Sequence, residues 1–254
     1  EAVQGGADLL VFPEYGLMEL ATLSGHAGDL ERSLWAVADF WPDIIAAHQR
    51  LADEYAVAIL TASGPAYGPG PRPVNRAAFV TPHQPVQMAD KQIMTRFERE
   101  TWKVSSGAPL ATYRYGGFTI GVLICYDIEF PLLGRYLVEQ GCDMILAPSC
   151  TDALAGYWRV RIGAMARALE GQCIVVQAPT VGEAPWSPAV DVNVGAAAIY
   201  GPPDRGFPST GVLCEGALNA PGWVVAAVDP GAIARVRADG QVLNKAHWGE
   251  QDPD

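Results

Sequence analysis

Three side chains of different chemistry stand at the carboxyl ends of segments that read as strands. Asp8-Leu9-Leu10-Val11-Phe12 is stopped by Pro13 and delivers Glu14. The run from Val86 to Asp90 ends in Lys91, and Gly121-Val122-Leu123-Ile124 ends in Cys125, followed by Tyr126-Asp127. Short apolar runs closed by breakers read as buried strands. In open α/β sheets, ligands bind beyond the carboxyl ends of the strands. A carboxylate there can act as general base, a lysine as a compact charge facing a developing oxyanion, and a thiol as nucleophile. Together they suit acyl transfer from a carbon–nitrogen bond. Glu14 would take the thiol proton and pass it to the leaving amine. Lys91 and a backbone N–H beside Cys125 would hold the tetrahedral oxyanion, and water activated by the same glutamate would release the acid from a thioester.

Each residue alone has a plainer reading. Free cysteine is a common core residue, and a lone glutamate at a strand end is most often on the surface. Scarcity adds weight to the lysine, since Lys91, Lys103 and Lys245 are the only ones in the chain. Histidine is the common partner of a thiol, but His26, His48, His83 and His247 fall in loops, inside a helical pattern or near the end. Glu98 and Glu100 lie in the polar stretch Arg96-Phe97-Glu98-Arg99-Glu100-Thr101-Trp102, which reads equally as a solvated charge run.

The elements that must position these groups are read from periodicity. Leu30 to Tyr55 has the apolar spacing of a helix, with Pro42 as the point of any bend. Ala56 to Thr61 is a strand, Gly64 to Pro73 a loop, and Asn75 to Val80 with Val86 to Asp90 a hairpin. Leu110 to Tyr115 and Phe118 to Ile124 flank Gly116-Gly117, a hairpin turn signal. Leu132 to Gln140 and Trp158 to Glu170 read as helices, Asp143 to Ala147 and Cys173 to Gln177 as strands. Val190 to Val228 is strand-rich, Pro230 to Ala238 a last short helix, and Glu1 to Ala7 the end of a helix running into a strand. This order fits mixed sheets with helices outside better than a purely parallel sheet.

The chain has 254 residues, 50% hydrophobic and 18% charged, which is enough for one large packed domain and against disorder. A net charge of −11 argues against nucleic acid or an anionic membrane as partner. The apolar runs fall short of the roughly 20 residues of a spanning helix. Five cysteines, without metal-type Cys-x-x-Cys spacing, favour a reducing compartment, and a cytoplasmic location is expected.

The ordered set of motifs resembles the nitrilase superfamily of carbon–nitrogen hydrolases. The matching stretches are Gly6-Ala7-Asp8 through Phe12-Pro13-Glu14, Asp90-Lys91, Leu123-Ile124-Cys125-Tyr126-Asp127 with Phe130-Pro131, and Ala147-Pro148-Ser149. Arg167-Ala168-Leu169-Glu170-Gly171-Gln172, Asn75 and Gly107 also fit, so the likeness covers essentially the whole chain. The resemblance implies an α/β fold, a four-layer αββα sandwich of two mixed sheets, in a single domain spanning 1–254. It implies a Glu14-Lys91-Cys125 triad, no metal or organic cofactor, and a homodimer or higher homo-oligomer. A second glutamate between lysine and cysteine is also implied; spacing to the Gly107 turn assigns it to Glu100, with Glu98 as the alternative. Tyr126, Ser149, Cys150 and Trp158 become neighbours of the acyl group. The resemblance places one more strand just before Glu1, so the sheet of the sequence given would lack a member. The Pro- and Gly-rich region 181–218 reads as pocket-shaping or subunit-contacting. The expected activity is that of an amidase on a small linear amide or carbamoyl compound. A nitrilase acting on a nitrile, an acyl transferase and a non-catalytic regulatory module of the same fold are the alternatives.

Overall fold

The computed structural model describes residues 1–251. The chain enters through a tight turn in which Ala7 N–H reaches Ala2 O and Gly6 N–H reaches Val3 O, with Gly6 at φ 86°. This is the Schellman bonding that ends a helix, and it feeds β1 (Leu9–Val11). The helices α1 (Leu30–Asp39) and α2 (Trp41–Tyr55) come next, then β2 (Ala58–Leu60), β3 (Gly64–Ala66), β4 (Val74–Val80) and β5 (Gln87–Asp90). These five strands form one mixed sheet in the order β1-β2-β4-β3, with β5 also paired to β4. The chain continues through the hairpin β6 (Thr112–Tyr115) and β7 (Phe118–Val122), α3 (Pro131–Glu139), β8 (Met144–Ser149), α4 (Leu154–Gly171) and β9 (Ile174–Pro179). A small antiparallel pair, β10 (Gly182–Glu183) and β11 (Val192–Asn193), precedes β12 (Ala198–Tyr200), β13 (Val212–Glu215) and α5 (Pro230–Asp239). The second sheet runs β13-β12-β9-β8-β7-β6, parallel through β7, β8 and β9 and antiparallel at both edges.

Side-chain alternation explains the layering. In β4, Ala77 and Phe79 enter the core shared with the second sheet, while Ala78 and Val80 join the core under α1 and α2. In β2, Ala58 and Leu60 take the first side and Ile59 the second. Phe79 stacks on Tyr113 of the other sheet with ring centroids 5.1 Å apart, so the two sheets meet face to face. Central β8 is buried along its whole length, as a parallel strand covered on both faces must be. Helices α3 and α4 cover its outer side through Leu137, Val138, Val160, Ala164 and Ala168. The four-layer αββα sandwich of two mixed sheets is therefore the observed architecture.

Three details differ from the sequence expectations. The helix expected over 30–55 is two helices that break at Phe40, and Pro42 sits in the first turn of the second, where its missing N–H costs nothing. The loop expected over 64–73 contains β3. Its Gly-Pro-Ala sequence has no strand propensity, but Gly64 pairs with Arg76 and lies so close to Leu17 that a Cβ would fall 2.8 Å from that side chain. In the region 190–228 the ladders are shorter than expected. Residues 223–228 alternate between exposed and half-buried, as a strand would, yet form none of the described ladders. Among the described residues β1 pairs on one side only, with β2, and Phe12 at its end packs edge-to-face on Trp223. No described helix is long and apolar enough to cross a membrane.

A close helix-to-turn approach braces the exit of β7. The chain leaves β7 through Leu123 and Ile124 into a 3-10 turn, Cys125–Glu129, and α4 presses on that turn at Gly163. A Cβ on Gly163 would meet Ile128 O at 2.8 Å, and Arg167 donates Nη1 to the same carbonyl at 3.1 Å. We expect Gly163→Ala to cost about 1–3 kcal/mol by forcing α4 off the turn. Chemical denaturation would measure this; an unchanged midpoint would show that the turn does not depend on the helix.

Candidate active site

Each of the three sheet-end residues is fixed by backbone before its side chain is considered. The carbonyl of Glu14 accepts a bond from Thr180 Oγ1 at 2.6 Å, and the next residue, Tyr15, turns the chain through φ 55° with its N–H on Ser63 Oγ at 3.0 Å. Lys91 comes directly after β5. Its N–H bonds to Asn75 O at 2.9 Å and its carbonyl accepts from Gly107 N–H at 3.1 Å. The preceding Asp90 forms a bidentate pair with Arg76, which faces it across the ladder, at 2.6 and 2.9 Å. Cys125 has φ 52°, a conformation that non-glycine residues adopt at a cost of order 1–3 kcal/mol and that recurs at functional sites.

The turn carrying Cys125 and the strand end carrying Lys91 are tied by one carboxylate. Asp127 is wholly buried and accepts backbone N–H bonds from Ile93 at 2.8 Å, Gln92 at 3.1 Å and Ile124 at 3.2 Å. Those amides lie just after Lys91 and just before Cys125, so one side chain sets the spacing of cation and thiol. Burial pushes the Asp127 carboxyl up to about 6 against the pull of Lys91 and these bonds.

Glu14, Lys91 and Cys125 then converge in a buried cluster. The Lys91 ammonium donates to Glu14 Oε1 at 2.8 Å and to both oxygens of Glu98, at 2.9 and 2.8 Å. Asn75 Nδ2 adds a bond to Glu14 Oε1 at 2.9 Å. The Cys125 thiol lies beside Glu14 and points toward Cys150 O at 3.7 Å. Glu14, Lys91, Glu98 and Cys125 are between 1% and 4% exposed, so water screens none of these interactions strongly.

The glutamate that the structure brings to Lys91 is Glu98, not Glu100, which spacing had favoured. Glu100 is exposed and pairs with Arg96 on the surface at 2.9 Å. Two residues apart on one helical turn point to opposite sides, so only one of the pair can face the lysine. Thr95-Arg96-Phe97-Glu98 is a capping box: Glu98 N–H bonds to Thr95 Oγ1 at 3.3 Å and Thr95 N–H to Glu98 Oε2 at 2.8 Å. That pattern was present in the sequence and marks Glu98 as the inward residue. The π-helical turn Glu98–Trp102 then widens the helix at this point.

Of the expected acyl-group neighbours, Ser149 is buried at the end of β8, and Cys150 comes after it with its thiol on Asn193 Oδ1 at 3.0 Å. Tyr126 is half-buried, edge-to-face with Phe130 at 4.8 Å. Trp158 is 48% exposed; its ring meets Tyr157 and the Arg161 guanidinium of its own helix. Tyr15 was not among the candidates, yet its hydroxyl donates to Glu98 Oε1 at 2.7 Å. Nothing in its spacing marks it out, because its inward aim depends on a left-handed backbone turn. His48 bonds to Ile44 O within α2 and His83 pairs with Asp53, each away from this cluster's bonding. Among the described residues no group of three or more His, Cys, Asp or Glu is placed to hold a metal ion.

The electrostatics divide the groups. Burial pushes the Glu14 carboxyl up to about 7, with Glu98 adding to the rise and Lys91 opposing it. Burial would lower Lys91, but the two carboxylates outweigh it and hold the ammonium well above its usual range. Burial would raise Glu98, yet Lys91, Tyr15 and the Thr95 N–H bring it below the usual carboxylate value. Burial and the Glu14 charge push the Cys125 thiol well up, so it rests protonated. The result is a fixed cation, a fixed anion, a carboxylate able to exchange a proton near neutrality, and a thiol holding one.

Residues 1–238 match the carbon-nitrogen hydrolase family. The chain belongs to that family. It is 30% identical over 237 residues to the probable hydrolase YhcX of Bacillus subtilis, covering 93% of this chain but 46% of that protein. It is 28% identical over 250 residues to the deaminated glutathione amidase of Synechocystis, covering 93% of this chain and 85% of the relative. Its fold matches a carbon–nitrogen hydrolase superfamily protein from Xanthomonas campestris with a TM-score of 0.71 at 20% identity, over 100% of this chain and 89% of that one. An amidase from Nesterenkonia sp. matches with a TM-score of 0.68 at 21% identity, over 93% and 86% of the two chains.

Removing the cation from this family member's cluster would leave two buried carboxylates facing each other. We expect Lys91→Met to destabilise the protein by about 3–5 kcal/mol at mildly alkaline pH. The deficit should shrink as pH falls and the carboxylates take up protons. Glu100→Ala should stay within about 0.5 kcal/mol at either pH. Urea unfolding of both variants at two pH values checks the assignment, and a Glu100 effect as large as that of Lys91 would contradict it.

Proposed function

We propose that this protein is an amidase-type hydrolase that cleaves a small linear amide or carbamoyl compound through a Cys125 thioester. The observation that carries the reading is the buried Lys91, held between Glu14 and Glu98 beside a thiol on a strained strand exit. The amidase names of the Synechocystis and Nesterenkonia relatives support it, and a Michael adduct of acrylamide on the active-site cysteine of a mutant of the latter shows a nucleophilic thiol in that protein.

In this reaction the Cys125 sulfur attacks the acyl carbon while its proton passes to Glu14. Lys91 Nζ and the N–H of Tyr126, at the start of the 3-10 turn, stabilise the oxyanion. The tetrahedral species collapses by breaking the carbon–nitrogen bond, and Glu14 gives its proton to the departing nitrogen. Water then attacks the thioester with Glu14 as base, the carbon–sulfur bond breaks, the acid leaves, and the proton returns to sulfur. Glu98 keeps Lys91 charged and aimed throughout. Ser149 and Cys150 line the acyl side. A nitrile substrate would use the same groups, so amides, carbamoyl compounds and nitriles belong in one ammonia-release screen.

Self-association is part of the same reading. Leu154, Trp158 and Ile162 form an exposed apolar stripe at four-residue spacing along α4, with Leu132 and Tyr136 exposed on α3. Such a stripe suits a second copy of the chain better than water. Ile162→Asp should lower the mass measured by light scattering, and an unchanged mass would remove this face from the assembly.

Cys125→Ala should abolish ammonia release from every amide the wild type accepts; retained turnover would end the thioester mechanism. The pH dependence is set by Glu14, which must be ionised to accept the thiol proton. Activity as kcat/KM should therefore fall as pH drops through about 7. An acid limb near the ordinary carboxylate value of 4.5 would remove Glu14 from the role of base.

A further inference from the structure

Two buried carboxylates share one lysine, so the cluster carries one surplus negative charge and has room for one proton. The geometry around the two carboxylates is unequal. Glu98 accepts from Tyr15 Oη at 2.7 Å and Thr95 N–H at 2.8 Å in addition to its two contacts with Lys91. Both nitrogen donors to Glu14, from Asn75 and Lys91, fall on Oε1, which leaves Oε2 for the thiol proton. We propose that Tyr15 is a positioning residue that decides where the exchanging proton sits: its hydroxyl keeps Glu98 ionised and leaves Glu14 as the carboxylate that takes up and returns a proton. The inference rests on the amidase-type reading for its catalytic meaning, but its geometry belongs to the resting protein.

Tyr15 is held for this role from three sides. Its backbone sits at φ 55° with its N–H on Ser63 Oγ, and its ring lies 4.8 Å from that of Trp102. Trp102 in turn anchors Nε1 on Leu30 O at 2.8 Å. A phenol donating to a carboxylate makes a charge-assisted bond that is lost if the acceptor is protonated at that oxygen. Burial first, then the Glu98 and Glu14 charges, push the Tyr15 hydroxyl well above its usual range, so it remains a donor. The charged groups facing Glu98 are Lys91 and Glu14, with the thiols of Cys125 and Cys150 beyond them. On its own turn, Arg96 and Glu100 pair with each other on the surface, and Arg99 bonds to Met94 O. Tyr15 is thus the one side chain among the described residues that donates to Glu98 and makes no hydrogen bond to Glu14.

The test is carbon-13 NMR titration of the full chain labelled at glutamate carboxyls, alone and as Tyr15→Phe, which keeps the ring against Trp102. The wild type should show one buried carboxyl titrating near 7, absent in Glu14→Gln and present, displaced downward, in Glu98→Gln. In Tyr15→Phe the Glu98 carboxyl should titrate about one to two pH units higher, the effect of losing one hydrogen bond to a charged group. Its kcat for ammonia release should fall roughly tenfold with KM little changed. An unmoved Glu98 midpoint, or a rise in KM alone, would overturn the assignment. If Tyr15→Phe fails to fold, the two glutamate variants still decide, because loss of the near-neutral titration in Glu98→Gln and not in Glu14→Gln reverses the roles and overturns the proposal. Failure of the amidase reading is separate: it shows as turnover surviving in Cys125→Ala, whatever the carboxyl titrations do.

Discussion

The structure is organised around the burial of one ammonium group. Taking a charge out of water costs several kcal/mol, and an ion pair offsets this only when its geometry is good and its remaining donors are satisfied. Lys91 meets that condition through three contacts of 2.8 to 2.9 Å to two carboxylates. The condition propagates outward, because the carboxylates must be held as well. Asn75 holds Glu14, while Tyr15 and Thr95 hold Glu98. Those residues come from the first sheet, the exit of β1 and the turn after β5, so satisfying one cation fixes the relative positions of three chain segments.

The second sheet contributes a single reactive atom to this arrangement, and its attachment is correspondingly firm. Cys125 does not belong to the ion cluster by charge; it is brought there by the turn that ends β7. Asp127 bonds that turn to the amides after Lys91, and α4 supports it from behind at Gly163 and Arg167. Facing sheets alone would set the thiol's distance only through apolar contacts such as Phe79 on Tyr113. The Asp127 bonds replace that loose constraint with directional ones at the place where the chemistry needs it.

Much of this was legible in the sequence, and the limits have physical causes. The strand ends bearing Glu14 and Cys125 could be read because each follows an apolar run, and that bearing Lys91 because it closes the second strand of a hairpin pattern. The order of strands and helices pointed to mixed sheets with helices outside, and the four layers were what the resemblance implied. β3 could not, since Gly-Pro-Ala carries no strand signal and owes its place to pairing with β4. Glu100 was preferred over Glu98 because distance to Gly107 says nothing about which side of a helical turn a residue faces; the Thr95–Glu98 capping box does. Trp158 was a pocket neighbour only by the resemblance, and the structure leaves it 48% exposed on α4. Tyr15 was invisible because aromatic residues beside a strand end are ordinary, and its aim depends on a backbone conformation that no side-chain pattern encodes.

That conformation links the two halves of the site. Tyr15 and Cys125 both lie just beyond a strand, both at positive φ, 55° and 52°. A left-handed residue turns the chain sharply within one step. Each conformation is unfavourable for a residue bearing a Cβ, by an amount of order 1–2 kcal/mol. Neither can persist without bonds that over-determine it: Ser63 and Glu98 for Tyr15, the Asp127 carboxylate for the turn of Cys125. Glycine would remove the strain at both places but supplies neither a hydroxyl nor a thiol. The strain is thus tied to the side-chain chemistry required at these strand exits, and the polar network that satisfies Lys91 also keeps that strain in place.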